Sequence, residues 1–252
     1  MDQLAPNYWN FRGDFRIAGL VNLGTHMSLV RRPNGRFLLI DSYAVGEDDR
    51  NALMDLTQGG SAIDAILNVH PYHTLHCGFA HQLAPAARLY GARRHREMAP
   101  DLPWESALIE EASTQALFPD LEFSLPSGLD LVTGDDRVHA ASVLVRDRES
   151  RIVHVDDTFN VFAAPGPLRH VLPQSRLRLH PMLGKALRDE AGAADAFESW
   201  ARELAERWAG TPIVCAAHSA VRRLSAEGWR HEVLLALHDA RHTLARHRRR
   251  HP

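Results

Sequence analysis

Short apolar runs that suit buried strands recur along the chain, and several of them end in a histidine or an aspartate. AIDAILNVH (62–70), RIVHVDD (151–157) and PIVCAAH (212–218) show the pattern. A short, mostly apolar run of this kind is typical of a strand covered on both faces. The chain is therefore expected to fold into sheets with helices packed against them.

The remaining elements fit between these runs. Further strands are predicted at 15–23, 26–32, 36–42, 87–91, 129–134 and 137–146. Helices are predicted at 50–58, 76–84, 195–208 and 227–247, and in the last two apolar residues return at helical spacing. We find no internal repeat or linker, so we predict one layered domain over 1–252, with a core at about 15–220 and a basic tail at 248–252.

Composition narrows the possible partners. The formal net charge of 252 residues is -2, which gives no strong attraction to nucleic acid or to an acidic membrane. Two cysteines are too few for a disulfide framework. The N-terminus lacks the apolar core of a signal peptide, and no apolar run reaches the roughly 20 residues of a membrane span. We therefore expect a cytoplasmic protein that acts on a small molecule, and its oligomeric state is left open.

Histidine is the unusual residue, with 16 copies. His70, His73 and His76 lie together in VHPYHTLHCG, which follows a predicted strand and enters a predicted helix. Three imidazoles on one such loop can converge on a metal ion, since neutral imidazole binds zinc and other first-row metals. The alternative is that they are loop histidines that only form hydrogen bonds.

Three later residues extend this set. His139 lies in a predicted alternating strand, Asp157 follows the strand RIVHV, and His218 ends the strand PIVCAA. A carboxylate at a strand end can bind cations or accept a proton, but it is more often a turn or helix cap. Asp156 is an alternative to Asp157, and none of the three later residues is persuasive by itself.

The order of these residues resembles that of metallo-β-lactamase-fold hydrolases. That family has an HxHxDH motif after a buried strand, then a single His, a strand-end Asp often followed by Thr, and a last His after another strand. Here the corresponding segments are VHPYHTLHCG, VHAAS, VDDTF and VCAAHS. The resemblance implies an α/β fold of the metallo-β-lactamase type, an αββα sandwich with two mixed sheets and helices on the outer faces.

The resemblance also implies the metal ligands. His73 and His139, with His70, would form a first site with Asp157, and a second site would use His76, His218 and Asp157. Zinc is the expected metal, as one or two ions, with iron or manganese as alternatives.

Two departures from the motif affect this set. His70 and His73 are three residues apart where the family has two, and Leu75 holds the position of the motif's Asp. A leucine cannot bind a cation or orient a water molecule. We therefore expect either one ion or two ions of unequal affinity.

The function implied is a metal-dependent hydrolase. A bound cation would lower the pKa of water and supply hydroxide as the nucleophile near neutral pH, with Asp157 as the nearby catalytic carboxylate. Esters, thioesters, lactones, amides and phosphoesters are all compatible substrates. His26 and His180 are possible substrate contacts. An iron-dependent oxidoreductase and a non-catalytic binding protein on the same fold are the alternatives.

Overall fold

The computed structural model describes residues 1–13, 16–17, 21–22, 24–162, 174–216 and 220–252. Its strands are β1 (Asp2–Ala5), β2 (Tyr8–Gly13), β3 (Arg16–Ile17), β4 (Val21–Asn22), β5 (Thr25–Arg31), β6 (Phe37–Ile40), β7 (Ile63–Leu67), β8 (Arg88–Tyr90), β9 (Leu121–Ser124), β10 (Leu144–Asp147), β11 (Val153–Val155), β12 (Phe159–Asn160), β13 (Arg178–Leu179), β14 (Ile213–Ala216) and β15 (Val221–Arg223). Its helices are α1 (Glu47–Leu56), α2 (Cys77–Leu83), α3 (Arg93–Met98), α4 (Ala112–Gln115), α5 (Leu183–Ala186), α6 (Ala193–Arg207), α7 (Gly228–Asp239) and α8 (Arg241–Arg250). The chain forms two compact units, Met1–Phe123 with Val145–Ser150, and Ser124–Leu144 with Arg151–Pro252.

The first unit is built on a six-stranded mixed sheet in the order β1-β2-β5-β6-β7-β8. Neighbouring strands are antiparallel from β1 to β6, and β6-β7 and β7-β8 are parallel. The register pairs Ile40 with Leu67 at the carboxyl ends of β6 and β7. The loops that follow these two strands therefore leave the sheet at the same edge, which is where functional side chains of α/β proteins collect.

The core of this unit confirms most of the predicted elements there. Strand residues such as Leu29, Leu39 and Ile66 pack with Ala80 and Leu83 of α2. A tight hairpin turn joins β5 and β6, and its Gly35 takes the positive φ of 81° that such a turn requires.

Strands β1 and β2 were missed by the sequence analysis. A polar residue, Asn10, interrupts the apolar run of β2. In the structure Asn10 is buried, and its side-chain amide donates to the carbonyl of Met27 and to Ser28 Oγ at 3.0–3.1 Å. A buried amide that satisfies its hydrogen bonds is therefore compatible with a central strand.

The second sheet has the order β15-β14-β11-β10-β9. Strands β11 and β14 are parallel, with Val155 opposite Ala216, and β14-β15 is antiparallel. The predicted amphipathic helix is α6, and its aromatic side chains are buried in the core of the second unit. Trp229 of α7 lies between Phe159 and Trp208, with ring centroids 6.0 and 5.9 Å away, so aromatic packing holds this core together.

The predicted strand at 129–134 is wrong, and the one predicted at 137–146 is confirmed only at its end, as the start of β10. Residues 129–134 form only an isolated bridge at Leu129, and β10 begins at Leu144, so residues 137–143 lie outside any regular strand. Local hydrogen bonding explains this, because Thr133 Oγ1 lies 2.8 Å from the carbonyl oxygens of both Asp135 and Val138 and donates its one proton to either of them. Side-chain bonds of this kind compete with a strand ladder.

The C-terminal helix also differs from the prediction. It ends at Asp239 and resumes at Arg241, giving α7 and α8 in place of one helix. Helix α8 includes part of the basic tail, where Arg248 forms ion pairs with Asp195 and Glu198. Within the described ranges, no helix is both long enough and apolar enough to cross a membrane.

Candidate metal centre

A buried carboxylate lies at the edge of the first sheet. Asp41 directly follows β6, is fully buried and takes a positive φ of 61°. Its backbone N–H donates to the carbonyl of Leu67, and its Oδ1 accepts the N–H of Val69, both at 2.8 Å. These two hydrogen bonds hold Asp41 against the start of the loop that follows β7, and this loop contains the predicted histidine cluster.

The histidine loop, residues 68–76, brings two predicted ligands together. The rings of His70 and His73 are stacked with centroids 4.2 Å apart, and His73 Nδ1 lies 3.4 Å from Asp41 Oδ2. His76 precedes α2, with its ring edge-on to Tyr43 at 5.9 Å. The sequence prediction of a local imidazole cluster is consistent with this geometry.

Burial favours the neutral form of two imidazoles, those of His76 in the loop and His95 on α3. Burial, together with the nearby charge of His73, lowers the pKa of His76. Burial, helped by His70 and His73, lowers the pKa of His95 to about 3. A neutral ring keeps a nitrogen lone pair for a cation, so these shifts suit metal ligation.

His95 and Asp41 were both missed as members of this site. His95 lies in the basic segment RRHR of α3, which is typical of a solvated surface, yet it is buried and its Nδ1 accepts the N–H of Ala92 at 3.0 Å. Asp41 carried a usable signal, because it ends the apolar run RFLLIDS as Asp157 ends RIVHVDD.

Leu75 and Cys77 do not add ligands to the loop. The side chain of Leu75 is 75% exposed, so the position of the motif's Asp presents an apolar group to solvent. Burial raises the pKa of the Cys77 thiol to about 12, and Asp41 adds to this. A thiol with that pKa stays protonated at neutral pH and is a poor metal ligand.

In the second unit, a buried acid holds the predicted His139. His139 Nδ1 lies 2.7 Å from Asp157 Oδ2, and the side chain of Asp157 is 1% exposed while that of His139 is 38% exposed. Such a bond orients the ring and directs its other nitrogen away from the acid. His139 is therefore an oriented imidazole with solvent access.

The segment after β11 is fixed by further contacts. The side-chain amide of Asn160 donates to the carbonyl of Asp157 at 3.0 Å, and Thr158 Oγ1 accepts the N–H of Ser142 at 3.0 Å. Asp156, the alternative carboxylate, is fully buried with Oδ2 3.6 Å from Nε2 of His154. These contacts position both acids at the carboxyl end of β11.

The remaining predicted residues differ in their placement. The ring of His180 lies 5.6 Å from that of His139, and its Nδ1 accepts the N–H of Met182 at 3.2 Å. His26 is fully buried on β5, with Nδ1 3.2 Å from the side-chain amide of Asn10. Its ring therefore has no exposed surface, which contradicts the predicted substrate contact. His218 lies outside the described residues.

The donor chemistry of these side chains fits a divalent ion. Groups of His and Asp side chains that could hold a metal occur in the described part of the chain, and each of them includes Asp156 or Asp157. Imidazole nitrogen and carboxylate oxygen are ligands that zinc, iron and manganese all accept. The residues present therefore suit the metal that the family resemblance implies, without selecting among these metals.

Comparison with known proteins gives structural relatives only. No family model matches the chain. No curated protein matches it either. Solved structures match over nearly their whole length, beginning with a metallo-β-lactamase from Erythrobacter litoralis with β-mercaptoethanol in its active site. It is 14% identical, with a TM-score of 0.59, and the match covers 94% of this chain and 95% of that one.

Two further solved structures agree with this match. A metallo-β-lactamase from Pontibacter korlensis is 13% identical, with a TM-score of 0.58 and coverage of 94% and 98%. The metallo-β-lactamase FIM-1 from Pseudomonas aeruginosa, in its mono-zinc form, is 14% identical with a TM-score of 0.58 and 94% coverage of both chains. Likeness at such identities shows the fold alone, and it confirms the predicted α/β class with two mixed sheets.

Proposed function

We propose that this chain, which has the metallo-β-lactamase fold, is a metal-dependent hydrolase. The observation that carries the proposal is the bond of 2.7 Å between the buried Asp157 carboxylate and the solvent-accessible His139 ring. A carboxylate that orients an imidazole is the usual arrangement behind metal-binding histidines. The proposed ligands are those of the sequence analysis: His70, His73, His76, His139, Asp157 and His218.

The chain's own residues have distinct tasks in this proposal. Asp157 holds Nδ1 of His139, so Nε2 of that ring is the nitrogen available to a cation. In the first unit, Asp41 takes the same place beside Nδ1 of His73. His76 contributes a neutral ring because burial disfavours its charged form. Asp157 is also the proposed acid–base group, since a buried carboxylate beside an imidazole can hold or pass on a proton.

Zinc is the proposed metal, as one ion or two ions of unequal affinity. Zinc commonly binds histidine with one carboxylate, and FIM-1 was solved in a mono-zinc form. The exposed Leu75 supports unequal affinity, because the loop offers no carboxylate at that position. When bound, the ion lowers the pKa of water and polarises the scissile carbonyl or phosphoryl group. Esters, thioesters, lactones, amides and phosphoesters remain the proposed substrate classes.

The test begins with metal analysis of protein purified without chelator. Elemental analysis is expected to find at least about one transition-metal ion per chain. His139→Ala is expected to reduce the metal content, while the control His242→Ala, at an exposed position on α8, leaves it unchanged. A protein without transition metal, or equal metal content in both variants, would overturn the proposal.

Hydrolysis is tested on the same preparations with a panel of the five substrate classes. Activity on at least one class is expected, with loss on chelation, recovery with zinc, and loss in His139→Ala. Activity that is insensitive to both chelator and His139→Ala contradicts the proposed mechanism.

A non-catalytic metal-binding protein is the second candidate. The specific observation that favours it is Leu75, which removes a water-orienting carboxylate from the loop. Bound metal together with the absence of turnover on every class would select this candidate over the hydrolase.

A further inference from the structure

A pocket in the second unit lies beside the His139–Asp157 pair. Its volume is about 280 Å³, slightly under the roughly 300–1,000 Å³ of sites that hold a whole drug-sized ligand. His180 is one of its lining residues, and the ring of His180 is also the neighbour of His139 at 5.6 Å. The pocket is therefore the size of a molecular fragment and is one imidazole away from a proposed metal ligand.

The walls of the pocket combine apolar surface with one uncompensated cation. Phe162, Leu179 and Leu183 line it, and the side chain of Phe162 is 47% exposed. Arg178 also lines it and forms no ion pair with any of the described carboxylates.

The acid of the pocket does not balance this charge. Asp239 is already held by Arg176, with Nη2 2.8 Å from Oδ2. Because that acid is neutralised by its own partner, the net electrostatic character of the pocket is positive at Arg178. A ligand that complements it has an apolar chain and an anionic group.

We propose that this pocket binds a short apolar chain bearing a carboxylate or a phosphate, with Arg178 holding the anion. A planar guanidinium pairs with either group through two parallel hydrogen bonds. The inference rests on the proposed function, since it assigns the ligand's apolar chain and anionic group to the part of the substrate outside the scissile bond. The backbone contact from Met182 fixes the His180 ring at the side of the pocket that neighbours His139.

The experiment measures binding of three probes by calorimetry: hexanoate, hexyl phosphate and hexanol. The full chain is used both as purified and after treatment with chelator, because a metal ion could itself bind an anion. At least one anionic probe is expected to bind about tenfold or more tightly than hexanol. The same preference is expected after metal removal, and the tighter anion identifies which group the pocket accepts.

Variants connect this preference to the pocket. Arg178→Gln is expected to abolish the preference, and Arg178→Lys to keep part of it. The control Arg223→Gln, at an exposed position on β15, is expected to leave the preference intact. Ala240→Leu, which places a larger side chain in the wall of the pocket, is expected to weaken the binding of all three probes. Thermal unfolding of each variant shows that it is folded.

The outcomes separate this inference from the proposed function. Equal affinity for the three probes, or an unchanged preference in Arg178→Gln, overturns the pocket assignment even if the protein binds metal. A preference that depends on Arg178 in a protein that holds no metal supports the pocket and overturns the hydrolase.

Discussion

The buried His95 makes a quantitative prediction about stability and pH. Its pKa is about 3 in the folded chain, against an ordinary value of 6.5. The unfolded chain therefore binds a proton at this residue between pH 6.5 and 3 while the folded chain does not. Stability from this group is complete above about pH 6.5 and is lost as the pH falls toward 3.

The size of the effect follows from the pKa values. Each pH unit in this window costs about 1.4 kcal/mol, so a fall to pH 5 costs about 2 kcal/mol from His95 alone. Urea unfolding of metal-free protein at pH 7, 6 and 5 measures the total change for the wild type. In His95→Gln the change between pH 7 and pH 5 is expected to be smaller by about 2 kcal/mol.

The comparison uses the pH dependence and not absolute stability, because Gln also alters a buried hydrogen bond to Ala92. That alteration shifts the free energy of unfolding by the same amount at each pH. His242→Gln, at an exposed position on α8, is the matched control and is expected to follow the wild type. If wild type and His95→Gln lose equal free energy between pH 7 and pH 5, the argument from burial is wrong.

Three further predictions concern the metal loop, the thiols and the core. Leu75→Asp restores a carboxylate to the loop and is expected to raise the affinity for a second zinc ion by at least about tenfold in chelator competition, whereas Leu117→Asp, at another exposed leucine, is expected to have no effect. At pH 8 the Cys77 thiol, with its pKa raised to about 12, and the buried Cys215 are expected not to react with a disulfide reagent, so rapid colour before denaturation would contradict their burial. Trp229→Ala is expected to lower the free energy of unfolding by about 3–5 kcal/mol in urea titrations, since the side chain is fully buried between aromatic rings; a loss under 1 kcal/mol would show that this packing carries little of the stability.

Sequence reasoning worked where a strand is covered on both faces. The runs that became β7, β11 and β14 are short and mostly apolar, and that pattern is typical of a buried strand. The amphipathic spacing of α6 was equally informative, because its stripe is buried against the core of its unit.

The segment before β10 shows why the same reasoning failed elsewhere. Val138, Ala140 and Ala141 are buried, as a strand would require, yet they lie in irregular structure. An apolar pattern indicates which residues are buried, but it does not indicate how the backbone is hydrogen-bonded. Here the turn formed at Thr133 favours an irregular backbone conformation over a strand. His139 was consequently identified as a site residue on the wrong kind of element.

The two acid–imidazole pairs show how far strand position alone predicts this site. Asp41 and Asp157 both follow strands with a parallel neighbour, both are buried, and each lies beside a histidine Nδ1. Parallel strands place their carboxyl ends at one edge, so Asp41, after β6, meets the loop that follows β7 without any local sequence motif. His139 instead precedes β10, so the position of Asp157 after β11 does not by itself predict that pair. Because Asp41 approaches His73 in this way, the histidine loop retains a carboxylate neighbour although Leu75 carries none. The carboxylate beside the histidine loop therefore comes from Asp41 and not from position 75, and it is this buried acid that lies against Nδ1 of His73.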